Sequence, residues 1–325
     1  MPLKIKKDKI ILVTGGAGFI GSNYVNIISK KYLDYLFIIV DCLTKAGSKD
    51  NILVPDQKNI IFEKTNIKNI IRLEKIFKKH SPTHIIHFAA ESHVDASIKN
   101  PTLFIETNIL GTNNLLVLAQ KYKIRRFHHI STDEVYGSLS KNDKPFTENS
   151  PILPNNPYSA SKAAADMLVR AHNKTFELNT VITRSSNNYG PHQDITKLIP
   201  RFITLLLENK KVPLYSRGEH IREWLFVEDH IDAIDLVFHN GKNGEIYNIP
   251  GLSEHTNKEI ADLLLKCAKK DDKHISYVSD RPGHDFRYAL NGTKIQNELG
   301  WKPKINLESG MKRTFEYYKK KHEKK

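Results

Sequence analysis

Cysteine, tryptophan and methionine are scarce: two, two and three residues in a chain of 325. Cys42 and Cys267 stand far apart, so no disulfide framework or cysteine-based metal centre is expected, and a reducing compartment, the cytoplasm, fits. No apolar run reaches the ~20 residues of a membrane helix. No signal-type apolar core follows the basic N-terminus MPLKIKKDKI before the first strand. His87, His93, His128 and His129 lack metal-ligand spacing and are expected to be packing or surface residues, so no metal is expected. Internal repeats are lacking too, and low complexity is confined to the Lys-rich tail. Acidic residues are in deficit, 36 against 50 Lys and Arg, a net charge of +14. Such a balance suits a nucleic-acid binder or an enzyme of anionic ligands. The lysines are scattered, however, with no aromatic-interleaved basic stripe, so a solvated Lys-rich surface without nucleic acid is expected.

What is present is ordinary globular material, 39% apolar and 26% charged, long enough for one large or two modest domains. Lys9 to Thr14 is a short apolar run that reads as a buried parallel strand. Gly15-Gly16-Ala17-Gly18-Phe19-Ile20-Gly21-Ser22 follows and opens a helical pattern to about Lys31. Glycines there allow a tight turn and close approach to a pyrophosphate, and the helix start offers free N–H groups. A second strand, Leu36 to Val40, ends at Asp41, at the distance where an acid meets an adenosine ribose. An acid there repels a 2′-phosphate, which favours NAD over NADP. Further strands are expected at Asn59 to Glu63, Thr83 to Phe88, Arg126 to Ile130 and Thr180 to Arg184. Helices are expected at Ile70 to Lys79, Pro101 to about Tyr122 and Tyr158 to Glu177. This alternation gives an α/β, doubly wound parallel (Rossmann) sheet. After Asn187 the pattern is irregular, with helices near 196–209, 228–239, 257–269 and 292–299. The expected division is a dinucleotide-binding domain over 1–186 and a smaller mixed α/β substrate lobe over 187–325, with strands free to return to the sheet.

The chemistry concentrates in two stretches. Ser131-Thr132-Asp133-Glu134 follows the fifth strand, and Tyr158 and Lys162 sit one helical turn apart. An ammonium lowers the pKa of a phenol beside it. Tyr158, as phenolate, would take a hydroxyl proton while hydride leaves the carbon for NAD, with Thr132 holding the same hydroxyl. Oxidoreductases of this layout need no more. Asp133 and Glu134 therefore suggest a further step, in which one removes a C–H proton made acidic by a new ketone and the other protonates a departing hydroxyl. The plainer alternatives are an exposed Tyr and Lys, and carboxylates that cap a turn. Arg222 in Arg222-Glu223-Trp224 and Arg281 in Asp280-Arg281-Pro282-Gly283-His284-Asp285 would clamp a diphosphate or form surface ion pairs.

These motifs resemble the extended short-chain dehydrogenase/reductase superfamily, and within it the nucleoside-diphosphate-glucose 4,6-dehydratases. The likeness runs from about Lys9 to Tyr318, through GGAGFIGS, FAAESHVD, STDEVYG, PYSASKAAAD, SNNYGP, REWLFVEDH and DRPGHD. The Asp133-Glu134 pair distinguishes this family from sugar epimerases and decarboxylases of similar fold. The resemblance implies that Tyr158 deprotonates the C4 hydroxyl of the glucosyl group, Glu134 removes the C5 proton, Asp133 protonates the C6 hydroxyl, and hydride returns to C6. The product would be a 4-keto-6-deoxy sugar nucleotide, a precursor of 6-deoxysugars such as rhamnose. By the same resemblance, NAD would be held by Gly15, Gly18, Phe19, Ile20, Gly21, Asp41, Thr44, Asn66, Ile67, Ala89, Ala90, Thr107, Tyr158, Lys162 and Asn188. The sugar nucleotide would meet Ser92, Thr132, Asn187, Lys197, Leu198, Tyr215, Arg222, Asn257 and Arg281. A homodimer through the helices 101–122 and 158–177, four in all, is implied as well.

Asn66 stands where the family commonly carries Asp, and its carbonyl still serves an adenine amino group. A dTDP-glucose substrate is expected, with UDP-glucose the alternative, because one methyl group separates the bases. A UDP-GlcNAc dehydratase and a C4-epimerase are further alternatives; the epimerase would need Tyr158 and Lys162 alone. A silent cofactor-binding scaffold would need neither pair.

Overall fold

The computed structural model describes residues 8–55, 57–280 and 284–324. In chain order the strands are β1 (Ile10–Thr14), β2 (Leu36–Asp41), β3 (Ile60–Lys64), β4 (His84–His87), β5 (Arg126–Thr132), β6 (Thr180–Ser185), β7 (Asn187–Tyr189), β8 (Val212–Tyr215), β9 (Ile221–Phe226), β10 (Ile246–Ile249), β11 (Glu254–Thr256) and β12 (Ile275–Val278). Seven of them form one sheet in the order β10-β6-β5-β4-β1-β2-β3. The pairings from β3 across to β5 are parallel. The strand order turns back between β1 and β4, and at such a switch point the carboxyl ends of the strands open a crevice. The apolar runs explain the sheet. β1, β2 and β4 are buried on both faces, which parallel strands covered by helices require.

The chain packs as two compact units. One takes the chain up to Ser131, then Asn156–Thr183 and Ile234–Ile246. The other takes Thr132–Asn155, Arg184–Ala233 and the chain from Tyr247 onward. The first has a core of Leu12, Ile38, Val40, Leu73, Phe77, Ile85, Leu115, Phe127 and Ile182. The second is built on Tyr189, Ile199, Phe202, Trp224, Phe226, Ile260, Leu264, Met311 and Phe315. The chain crosses between them at 131–132, 155–156, 183–184, 233–234 and 246–247. The seventh strand, β10, lies in the later part of the chain, where its four residues do not stand out from the surrounding irregular pattern.

The helices that carry candidate site residues are Phe19–Lys31, Pro157–Phe176, Leu198–Leu207 and Asn257–Ala268. The expected helix from Pro101 to Tyr122 is helical, but not uniformly α. Pro101–Phe104 passes into a π-helical segment, Ile105–Leu110, before Gly111–Lys121. Asn108 in that segment uses its whole amide: Oδ1 accepts from Glu91 N (2.8 Å), and Nδ2 donates to Glu91 O (3.0 Å) and Ser161 Oγ (2.8 Å). Such a bulge re-aims side chains and is common at functional sites. A helix at Leu307–Glu323 and a short one at Val94–Lys99 lie outside the sequence expectation.

Candidate active site

In the first unit, β1 runs into the glycine turn. Gly15 has φ +71, and a Cβ there would stand 2.6 Å from Ala89 N. A Cβ on Gly21 would stand 2.3 Å from Gly15 O. Side chains are excluded at both places, so the turn lies directly against the end of β4 and the start of the helix. Gly18 is the N-cap of Phe19–Lys31, and no side chain caps that helix. Its first N–H groups, with the positive dipole end, suit a pyrophosphate. Asp41, at the end of β2, accepts N–H from Ala17 (3.0 Å) and Leu43 (2.8 Å), which fixes its carboxylate beside the turn. Asn66 Oδ1 accepts from Lys68 N (2.9 Å), and Ile67 is buried behind it. Thr44, Ala89, Ala90, Ser92 and Thr107 also belong to this unit, Thr107 within the π-helical segment. A turn closed to side chains, an uncapped helix start and an acid at the next strand fit a dinucleotide.

Tyr158 and Lys162 come from the start of Pro157–Phe176, whose entry is set by a capping box between Asn156 and Ser159. Both are buried, Tyr158 8% exposed and Lys162 4%. Lys162 Nζ donates to Ile130 O (2.7 Å) and lies 3.3 Å from His129 Nε2. Burial pulls its ammonium down to about 8, against the opposing charge of Asp166. His87, His128 and His129 are buried. His87 sits between Thr14 Oγ1 (2.7 Å) and Thr112 Oγ1 (2.9 Å).

In the second unit, Thr132 ends β5 and starts the 3₁₀ turn Asp133–Tyr136. Its hydroxyl accepts from Glu134 N (3.3 Å) and donates to Asp133 Oδ1 (3.2 Å). Tyr136 anchors the turn: Arg184 Nη1 donates to its OH (2.8 Å), which donates to Asn248 Oδ1 (2.8 Å). Asp133 is 1% exposed, and its Oδ2 has no hydrogen-bond partner in the structure. Burial, with Glu134 and Glu223 adding like charge, holds its carboxyl well above the usual carboxylate range. Glu223 is itself pushed up to about 7 by burial. It accepts from Leu252 N (2.9 Å) and Leu290 N (3.1 Å), which ties β9 to two later turns.

The remaining polar candidates gather in the same unit. Arg222 is buried. Its guanidinium donates to the carbonyls of Ile221 (2.8 Å), Phe286 (3.2 Å) and Asp285 (2.9 Å) and lies over the Tyr288 ring. Asn257 opens the helix Asn257–Ala268 just after the N-cap Thr256. Its buried Oδ1 has no hydrogen-bond partner in the structure. Asn187 and Asn188 lie in β7, paired with Trp224 and Leu225 of β9. Lys197 and Leu198 begin the helix Leu198–Leu207, and Tyr215 ends β8. Asn188, expected with the cofactor set, thus belongs to the second unit, while Ser92 belongs to the first. Arg281 lies outside the described residues. Four groups outside the sequence expectation are His129, Asp166, His220 and Glu223. Of these only Asp166, one turn beyond Lys162, had a spacing that could have marked it.

Among the described residues, His220, Asp280 and His284 bring three ligand-type side chains within 4.8 Å of one another. His220 Nε2 lies 3.2 Å from Asp280 Oδ2, and His284 Nδ1 lies 2.6 Å from Oδ1. The two rings stack at 3.8 Å with planes 23° apart. The trio is a hydrogen-bonded cluster.

A glycine turn before an uncapped helix, an acid ending the next strand and a buried Tyr-x-x-x-Lys pair define an extended short-chain dehydrogenase/reductase. A model of the GDP-mannose 4,6-dehydratase family matches residues 12–314, and the chain belongs to that family. It is 47% identical to the dTDP-glucose 4,6-dehydratase of Shigella flexneri, over 95% of this chain and 92% of that one. The crystal structure of dTDP-glucose 4,6-dehydratase from Bacillus anthracis in complex with NAD superposes with a TM-score of 0.90. It is 46% identical and covers 97% of this chain and 98% of its own. A UDP-glucose 4-epimerase from Thermotoga maritima has a TM-score of 0.89 at 32% identity, over 96% of this chain and 99% of its own.

Proposed function

We propose that the protein is an NAD-dependent dTDP-glucose 4,6-dehydratase, a hydro-lyase that forms the 4-keto-6-deoxy sugar nucleotide. The carrying observation is the carboxylate pair. Asp133 is buried, with its carboxyl pushed well above the usual carboxylate range, and Glu134 is the next residue on the same turn. An acid and a base side by side suit an elimination. NAD, when bound, supplies the acceptor for a hydride and its return. The glycine turn, the uncapped helix start and Asp41 would hold it, with Thr44, Asn66, Ile67, Ala89, Ala90 and Thr107 around it. Tyr158 takes the C4 hydroxyl proton, and Lys162, as ammonium, stabilises the phenolate. Thr132 orients the same hydroxyl. Glu134 removes the C5 proton once C4 is a ketone, and Asp133 protonates the leaving C6 hydroxyl. The reaction requires both sets at one hexose ring.

In this reading the first unit serves the cofactor and the second the nucleotide, through Asn187, Lys197, Leu198, Tyr215, Arg222, Asn257 and Arg281. A C4-epimerase has no use for a protonated Asp133. The working form is a homodimer, joined by the helices that leave Ile105, Leu110, Val117 and Met167 exposed on the single chain. Incubation with dTDP-glucose and with UDP-glucose, separately and without added reductant, tests the reading. An alkali-labile 4-keto product from dTDP-glucose is expected. Product from UDP-glucose alone would reassign the base, and product from neither would remove the dehydratase.

A further inference from the structure

Tyr158, Lys162 and Asp166 recur at four-residue steps in Pro157–Phe176, so successive turns present a phenol, an ammonium and a carboxylate along one face. The first two belong to the reaction proposed above. Asp166 has no part in it, yet it is 0% exposed. A carboxylate so placed is costly unless a cation answers it. His129 stands between the two charges: its Nε2 is 3.3 Å from Lys162 Nζ and 3.4 Å from Asp166 Oδ1. Lys162 is tied to the same strand through Ile130 O. The next strand contributes His87, whose ring centroid lies 5.2 Å from that of His129. Burial, with His129 and Lys162 nearby, holds His87 well below the usual imidazole range, so it brings no charge. Among the described residues, Asp166 is the carboxylate whose charge acts on Lys162.

We propose that Asp166 is a positioning residue for the Tyr158–Lys162 pair: its buried carboxylate, one helical turn beyond Lys162 and against the same His129 nitrogen, favours the ammonium form of Lys162. Burial works against the charged form of Lys162, and Asp166 works for it. With the carboxylate removed, less of Lys162 is ammonium at neutral pH. The Tyr158 phenolate then loses part of its stabilisation, although neither residue has been altered. The consequence for catalysis rests on the function proposed above, but the charge state of Lys162 is read without substrate. Failure of the dehydratase reading therefore leaves this inference standing.

The test is the titration of Lys162 in the NAD-loaded protein, labelled with ¹³C,¹⁵N-lysine. Its Cε–Nζ resonance is identified by its loss in Lys162→Arg. In the unaltered protein the midpoint should fall near pH 8. In Asp166→Asn it should move down by about one pH unit or more, and Asp166→Glu should restore most of the shift. The alkaline limb of the kcat profile should move with it. An unchanged midpoint in a folded Asp166→Asn protein would overturn the proposal. Should that variant fail to fold, Asp166→Ser is titrated in its place; the midpoint should again move down, and an unchanged midpoint there likewise overturns the proposal.

Discussion

Asp133 and Glu134 are neighbours in sequence with different duties, and the structure gives a physical reason for one of them. Asp133 is buried among like charges, and its carboxyl is pushed well above the usual carboxylate range. The sign follows: the acid form is lost as pH rises through its raised pKa, so water elimination should fall on the alkaline side rather than the acid side. Asp133→Asn removes the proton donor and should cost about 10²–10⁴-fold in kcat, with NAD content unchanged. Glu134→Gln should lose exchange of the C5 hydrogen with solvent deuterium while still reducing bound NAD in the presence of substrate. Exchange at the parental rate would remove Glu134 as the C5 base. These residues were legible because each sits in a short motif with a fixed spacing. Glu223 and His129 were not, since their importance comes from contacts with residues distant along the chain, which local spacing does not report.

The element that holds the carboxylates is the turn Asp133–Tyr136, and Gly137 closes it. Gly137 has φ +93, and a Cβ there would stand 2.4 Å from Leu153 O. Gly137→Ala combines left-handed strain with a backbone clash and should cost about 2 kcal/mol or more, read as a lowered Tm. Turnover should fall further than stability does, because the same turn aims Asp133 and Glu134. The β1-to-glycine-turn unit was readable from local pattern, an apolar run followed by glycines. The π-helical segment was not, because 3.6-residue periodicity does not distinguish an inserted residue. The C-terminal helix Leu307–Glu323 carried a helical period in Leu307, Met311, Phe315 and Tyr318, but its lysines resembled a solvated tail.

At the scale of the whole molecule, alternating strands and helices revealed the sheet, whereas the repeated crossings of the chain between its units were hidden. Contacts between residues far apart in sequence decide those crossings. The exposed Ile105, Leu110, Val117 and Met167 should be covered in solution, so light scattering should give the mass of two 37.3 kDa chains. Ile105→Asp with Leu110→Asp should shift it towards one. Among the described residues no helix is long and apolar enough to cross a membrane.

The central claim is that a single turnover moves one hydride within the sugar while solvent supplies the hydrogen at C5. It is tested by dTDP-glucose carrying deuterium at C4 and C5, incubated in ordinary water without added reductant, with the product read by NMR. The expected product is the 4-keto-6-deoxy sugar with deuterium on C6 and hydrogen on C5. Deuterium returned to C4, with the C6 hydroxyl still in place, would contradict the account and make the protein an epimerase.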